Sequence, residues 1–169
     1  GVKEDVTKTF LKNPGYPYLR VDDGTTRFGI LADWIVNDAV KNQEGSTRGG
    51  FDSYGGASMA LQHWADGEPE IINGKIYQTI HLPAGKYLFE IDLSGGYQIY
   101  DPAYLVVAAG NSLTDVADVA TAIGSADFTS AQLLFELPQE QTVSIGILAS
   151  LTQFSQYFRS PGVKLTKLE

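Results

Sequence analysis

The residues of this chain predict an all-β domain, an antiparallel β-sandwich of the jelly-roll kind with about eight strands and one short helix. Three observations lead there. Apolar and polar side chains alternate with period two through residues 71–93, as in half-buried strands. Glycine (18) and proline (7) recur between short apolar runs, which suits many strands joined by turns. The pattern carries no alternating strand–helix rhythm of the kind that builds a parallel sheet.

Residues 1–27 are polar and turn-rich, with Asn13-Pro14-Gly15 and Asp22-Asp23-Gly24 as turn signals. Phe10, Leu11, Tyr16, Tyr18 and Leu19 give this lead-in apolar surface to dock on the sandwich, with room for one short edge strand; a free linker is the alternative. The sandwich domain proper is assigned to 28–169. Residues 28–36 form its first strand, with Leu31 and Trp34 as buried candidates. The glycine-rich, polar run 37–56 predicts a long loop without regular elements. Residues 57–64 form the second strand.

In 71–93, Ile76, Gln78, Ile80 and Leu82 alternate with Lys75, Tyr77, Thr79 and His81. After Leu82-Pro83-Ala84-Gly85, the residues Tyr87, Phe89 and Ile91 alternate with Lys86, Leu88 and Glu90. Two such runs across a short Pro/Gly turn predict a β-hairpin. Gln78 falls on the inward side and must find a hydrogen-bond partner there. The nearly continuous apolar run 103–109 predicts a strand covered on both faces.

Ser112 as cap, with Leu113, Val116, Ala120 and Ile123 at helical spacing and Gly124 as the stop, predicts the one helix. Residues 128–137 and 142–149 form two further strands, 150–160 a polar-aromatic loop, and 163–168 the closing strand.

At 169 residues and 43% hydrophobic, the chain is long enough to bury one sizeable core. Its net charge of −8 repels a polyanion, so nucleic acid is not an expected partner. Without cysteine there are no disulfides, thiolate metal sites or cysteine nucleophiles. No apolar run approaches the roughly 20 residues of a membrane helix. The opening Gly-Val-Lys-Glu-Asp reads as a cut inside a longer protein, so an upstream signal or lipid anchor is expected.

Asp33-Trp34-Ile35-Val36-Asn37, the run from Asn73 to Thr79, and Leu82-Pro83-Ala84-Gly85-Lys86-Tyr87 resemble a domain family of unknown function. The later Tyr104-Leu105-Val106-Val107-Ala108-Ala109-Gly110 and Val143-Ser144-Ile145-Gly146 resemble it too. That family belongs to surface lipoproteins of Bacteroides-type gut bacteria, and more broadly is similar to galactose-binding-like sandwiches. The resemblance implies that fold, an exported setting at the outer cell surface or periplasm of a Gram-negative bacterium, and a leaning toward glycans. It supplies no catalytic residues, and fold alone does not establish sugar binding.

No nucleophile elbow, phosphate-binding glycine loop or HExxH helix occurs. His63 and His81 stand far apart, with His81 on the outward side of its strand. Glu90 and Asp92 share a strand face about 7 Å apart, a spacing a glycoside hydrolase could use but one equally ordinary on a solvated face. No metal or other cofactor is assigned: Asp22, Asp23 and Glu169 are oxygen donors for a structural calcium, without EF-hand spacing.

Aromatic residues form the more informative set, because rings stack on the C–H faces of sugars while amides and guanidinium groups bond the hydroxyls. The loops 37–56 and 150–160 are expected at one end of the sandwich. Arg48, Tyr54, Tyr157, Arg159 and Gln153 are the candidate ligand contacts there, beside Phe51 and Phe154, with core closure as the competing role for Phe51, Phe154 and Tyr157. Trp64, Asp66, Tyr97, Gln98, Tyr100 and Asp101 form a second candidate cluster at the opposite end. The expected function is a non-catalytic glycan-binding or scaffolding module. A structural or protein-interaction spacer contacting a cell-surface protein is the alternative, and a hydrolase ranks behind both.

Overall fold

The computed structural model describes residues 3–22, 24–43 and 47–169. In chain order its elements begin β1 (Glu4–Asp5), α1 (Thr7–Phe10), β2 (Phe28–Ile30), β3 (Ile35–Val36), α2 (Asp38–Lys41), β4 (Gly50–Asp52) and β5 (Ser58–His63). The long strands β6 (Ile71–Leu82) and β7 (Gly85–Asp92) follow, then β8 (Tyr97–Gln98), β9 (Ala103–Ala109) and β10 (Gly124–Asp127). β11 (Gln132–Leu137), β12 (Gln141–Leu151), β13 (Gln156–Ser160) and β14 (Gly162–Lys167) complete the set, with short 3-10 turns at Val116–Thr121 and Phe128–Ser130.

All the strand pairs are antiparallel, in three sheets: β1-β14-β7-β11, β10-β9-β12-β6-β3 and β2-β4-β5-β13-β8. Inward side chains of all three share one apolar cluster, in which Phe89, Leu165, Ile145, Leu105, Met59 and Phe158 are essentially inaccessible. The third sheet continues the first through a bend. β14 meets β7 with Gly162 opposite Asp92, β13 meets β8 with Phe158 opposite Tyr97, and between them Arg159 N–H donates to Gly96 O at 2.9 Å. The bend falls at Pro161, which has no N–H to give a ladder. Among the described residues no helix is long and apolar enough to cross a membrane.

The all-β antiparallel expectation holds, but the count of about eight strands is too low: the described residues contain fourteen. Turns cut predicted stretches into pieces that join different sheets. The 28–36 stretch is two strands, β2 in the third sheet and β3 in the second. They are separated by a turn in which Asp33 takes φ 68°, a left-handed conformation aspartate tolerates. The predicted loops also hold regular elements. Val40 (α2), Phe51 (β4) and Phe158 (β13) are buried, and each anchors a short segment that polar neighbours disguise.

The 71–93 segment is extended apart from Asn73 at φ 51° and the corner at Pro83-Ala84, yet it is not a hairpin. β6 pairs with β12 and β3, whereas β7 pairs with β11 and β14. The chain turns a corner between two sheets at Pro83-Ala84, with Gly85 at φ 151° and Tyr87 Oη donating to Pro83 O at 2.7 Å. Alternation reports which side of a strand is inward but not which strand lies beside it.

The predicted helix is also shorter than its pattern. Val116–Thr121 is a six-residue 3-10 turn after an extended Asp115, and Gly124 opens β10 against β9 instead of ending a helix. The apolar positions have another use: Val116 and Val119 pack over Val106, Ala108, Leu113 and Leu148. That packing covers the second face of β9, as the continuous apolar run requires.

Residues before β2 are held firmly where they are described. Val6 and Leu11 are buried, and Leu165 N–H donates to Thr7 Oγ1 at 2.8 Å. Gln78 takes the Lys12 N–H at 3.1 Å and donates to the Lys12 carbonyl at 2.6 Å, so the inward amide is paired with backbone. Trp34, buried as expected, donates its indole N–H to Asn13 O at 2.8 Å.

Candidate functional site

On the third sheet, strand alternation divides side chains cleanly. Met59, Leu61 and His63 of β5 and Gln156, Phe158 and Ser160 of β13 are buried. Their neighbours Ala60 and Gln62 therefore face outward, beside Arg159 and Tyr157 in register. The outer face holds a cleft of about 300 Å³ lined by Arg27, Tyr54, Gln62, Trp64, Tyr157 and Arg159.

Each wall has a local cause. Tyr54 stands on the turn after β4, where its N–H donates to Asp52 Oδ1 at 2.9 Å. Gly55 and Gly56 then take φ 71° and 109°, conformations that cost glycine little. Asp52 is almost fully buried and receives both Nε (2.9 Å) and an Nη (3.1 Å) of Arg27, a paired fork that neutralises its charge. Trp64 directly follows β5, and its N–H and that of Ala65 donate to Glu68 at 3.2 and 3.0 Å. Ser155 N–H donates to Trp64 O at 3.0 Å. The Trp64 ring meets Tyr157 edge-on, 5.5 Å between centroids and 79° between planes.

Arg159 lies between two tyrosines. Its guanidinium carbon is 4.5 Å from the Tyr157 ring centroid and 5.0 Å from that of Tyr54. Arg27 approaches the Tyr54 ring at 4.8 Å. Among the described residues no carboxylate pairs with Arg159 and no hydrogen-bond acceptor takes its guanidinium.

A polar hub lies under the far end of this face. Gln156, fully buried, accepts from Tyr100 N–H (2.7 Å) and Asp101 N–H (2.8 Å) and donates to Asp101 Oδ2 (2.7 Å) and Gln153 O (2.8 Å). Asp101 also takes the N–H groups of Thr152 (2.7 Å) and Gln153 (3.0 Å). Burial raises the Asp101 pKa, but hydrogen bonds from Gln153, Thr152 and Gln156 outweigh it and hold the carboxyl well below the usual range.

Of the five contacts expected from sequence, Tyr54, Tyr157 and Arg159 come together here. Arg48 does not line the cleft: its side chain is buried, bonded to Glu68 at 2.6 Å and stacked on Phe28 at 3.9 Å. Gln153 is not in the cleft either, and its amide donates to Asp101 Oδ1 at 3.0 Å. Phe51 is buried in the core, whereas Phe154 is half-exposed and packs its ring against His63 at 4.9 Å.

Trp64 was expected at the opposite end. It lines this cleft instead, because β5 runs beside β13 and the residue just after β5 reaches Tyr157. Gln98, of the same second cluster, is drawn to this sheet as β8 pairs with β13. Arg27 and Gln62 were missed. Gln62 was legible, as a polar residue between Leu61 and His63 on the outward phase of β5; no local pattern marks Arg27.

Glu90 and Asp92 lie on another sheet, on β7 away from the cleft, with Glu90 opposite Lys164 in register. His81 is exposed, 3.5 Å from Glu140. Asp22 is held by Arg20, and Glu169 lies 3.4 Å from Lys86. Asp23, the remaining calcium candidate, lies outside the described residues. Among the described residues no three His, Asp or Glu side chains converge on a point. A wider depression of about 730 Å³ lies between 5–19 and β14, walled by Lys8, Tyr16 and Lys164, with one aromatic ring and no guanidinium among the described residues.

A search of the curated proteins found no match. A family model described as "Domain of unknown function (DUF5013)" matches residues 12–146, most of the chain, and the chain belongs to that family.

Proposed function

We propose that this chain is a non-catalytic carbohydrate-binding or glycan-scaffolding module of an exported, cell-surface bacterial protein, built on a galactose-binding-like jelly-roll sandwich. The observation that carries the reading is the cleft on the third sheet. Tyr54 and Trp64 supply rings about half open to solvent and Tyr157 a partly buried one, and Arg27, Arg159 and Gln62 stand among them as hydroxyl-binding groups. Rings for C–H faces and planar donors for hydroxyls are what sugar recognition needs. Among the described residues the cleft lining contains no carboxylate side chain, and the nearby Asp52 is engaged by Arg27, which favours binding over acid–base work.

Affinity electrophoresis against a panel of plant and host polysaccharides tests the reading. Retardation by at least one polysaccharide, lost in Tyr54→Ala and Trp64→Ala proteins that keep the wild-type melting temperature, is the expected result. No retardation by any polysaccharide, or retardation unchanged in both variants, overturns it. One observation favours the alternative of a protein-interaction spacer: Tyr16, Leu19 and Val21 are each about two-thirds exposed on the segment before β2.

A further inference from the structure

Given the sugar-binding reading, on which this rests, we infer that the cleft selects acidic sugars, with Arg159 as the residue that reads a sugar carboxylate. The cleft holds two guanidinium groups, and their charges are not equivalent. Arg27 is neutralised by a two-point pair with buried Asp52. Arg159 has no carboxylate partner among the described residues, although the chain carries 20 acidic residues against 12 basic ones. In so acidic a protein, an arginine that no carboxylate of the described residues has captured leaves one net positive charge at the cleft wall among those residues.

Stacking also prepares Arg159 for a planar anion. The guanidinium carbon lies over the Tyr157 ring at 4.5 Å and over the Tyr54 ring at 5.0 Å. The contact favours the cation and restricts its rotation. Among the described residues its N–H donors have no acceptor, so they are left to a ligand as a fork matched to the two oxygens of a carboxylate. The ring of a uronic acid carries such a group beside C–H faces suited to Trp64 and Tyr157. A neutral sugar would use the rings and leave the fork with hydroxyls alone. At about 300 Å³ the cleft lies at the small end of ligand pockets, enough for a short segment of a chain.

Titration calorimetry with oligosaccharides of galacturonate, of alginate and of glucuronate-branched xylan tests this. Each is compared with its carboxyl-reduced counterpart, and a sulfated neutral oligosaccharide from carrageenan serves as a separate arm. The expected result is at least one acidic oligosaccharide bound tenfold or more tightly than its reduced form, with Arg159→Gln erasing the difference between the two forms. Equal binding of acidic and reduced forms overturns the acidic selectivity and leaves the sugar-binding reading standing. So does a preference that survives Arg159→Gln, or binding of the sulfated oligosaccharide without the carboxylated ones. Binding of no oligosaccharide of any arm removes both readings together.

Discussion

The side-chain amide of Gln156 donates to Asp101 Oδ2 at 2.7 Å while its carbonyl receives the Tyr100 and Asp101 N–H groups, so two residues distant in sequence are joined in both directions. This exchange fastens the 99–102 segment to β13, the strand that carries Tyr157 and Arg159. Removing the carboxylate takes one of two acceptors from the buried Gln156 amide and the acceptor of the Thr152 and Gln153 N–H groups. Asp101→Ala is expected to lose about 2–3 kcal/mol of stability, seen as a lower urea midpoint at an unchanged slope.

Acid should weaken the same region. Burial raises the Glu68 pKa, but the Arg48 guanidinium, the Ala65 N–H and the Gln62 amide together leave it lowered, as the donors around Asp101 do there. A carboxyl whose pKa is lower folded than unfolded adds stability that is complete above its unfolded value. That stability is lost as pH falls toward the folded value. Stability measured by urea unfolding is therefore expected to hold from pH 7 to 5 and to decline below about pH 4. Asp101→Asn should flatten that decline; an unaltered profile would contradict the assignment.

The two tryptophans differ in a way that fluorescence reads directly. Trp34 is 5% exposed with its indole N–H bonded, whereas Trp64 is 46% exposed at the cleft. Acrylamide should quench one component of the emission strongly and the other little, and Trp64→Phe should remove the quenchable one. A ligand in the cleft should protect that component.

Gly146 marks where β6 and β12 lie too close for a side chain. A Cβ there would overlap the Ile76 carbonyl oxygen and come within 2.7 Å of Tyr77 Cα, both backbone atoms of the paired strand. Gly146→Ala is expected to cost about 1–3 kcal/mol through forced backbone movement. Gly67→Ala provides the contrast: no atom lies within 4 Å, but φ is 91°, so only local strain of about 1 kcal/mol arises. Thermal unfolding of the two variants should rank Gly146→Ala as the more damaging.

Short-range pattern carried much of this molecule. The alternation at Tyr87, Phe89 and Ile91, the inward amide of Gln78, the doubly covered run of β9 and the buried Trp34 all depend on which way neighbouring side chains point along a strand. That direction repeats every two residues and is written locally. Tyr54, Tyr157 and Arg159 stood out as rings and a cation in polar surroundings, which is a matter of residue type. Arg48 looked the same by type, and only its burial against Glu68 and Phe28 separates it from Arg159.

Residue order by itself therefore determined the all-β class, the inward faces of the long strands and three of the six residues around the cleft. The tertiary structure alone decided that β6 and β7 part into different sheets. It also brought Trp64 and Arg27 to Tyr54 and Tyr157, and left Arg159 without a carboxylate partner among the described residues. The physical reason is that strand pairing joins residues remote in sequence through backbone groups every residue shares, so composition does not encode the partner. Competition among whole sheets for one core settles it.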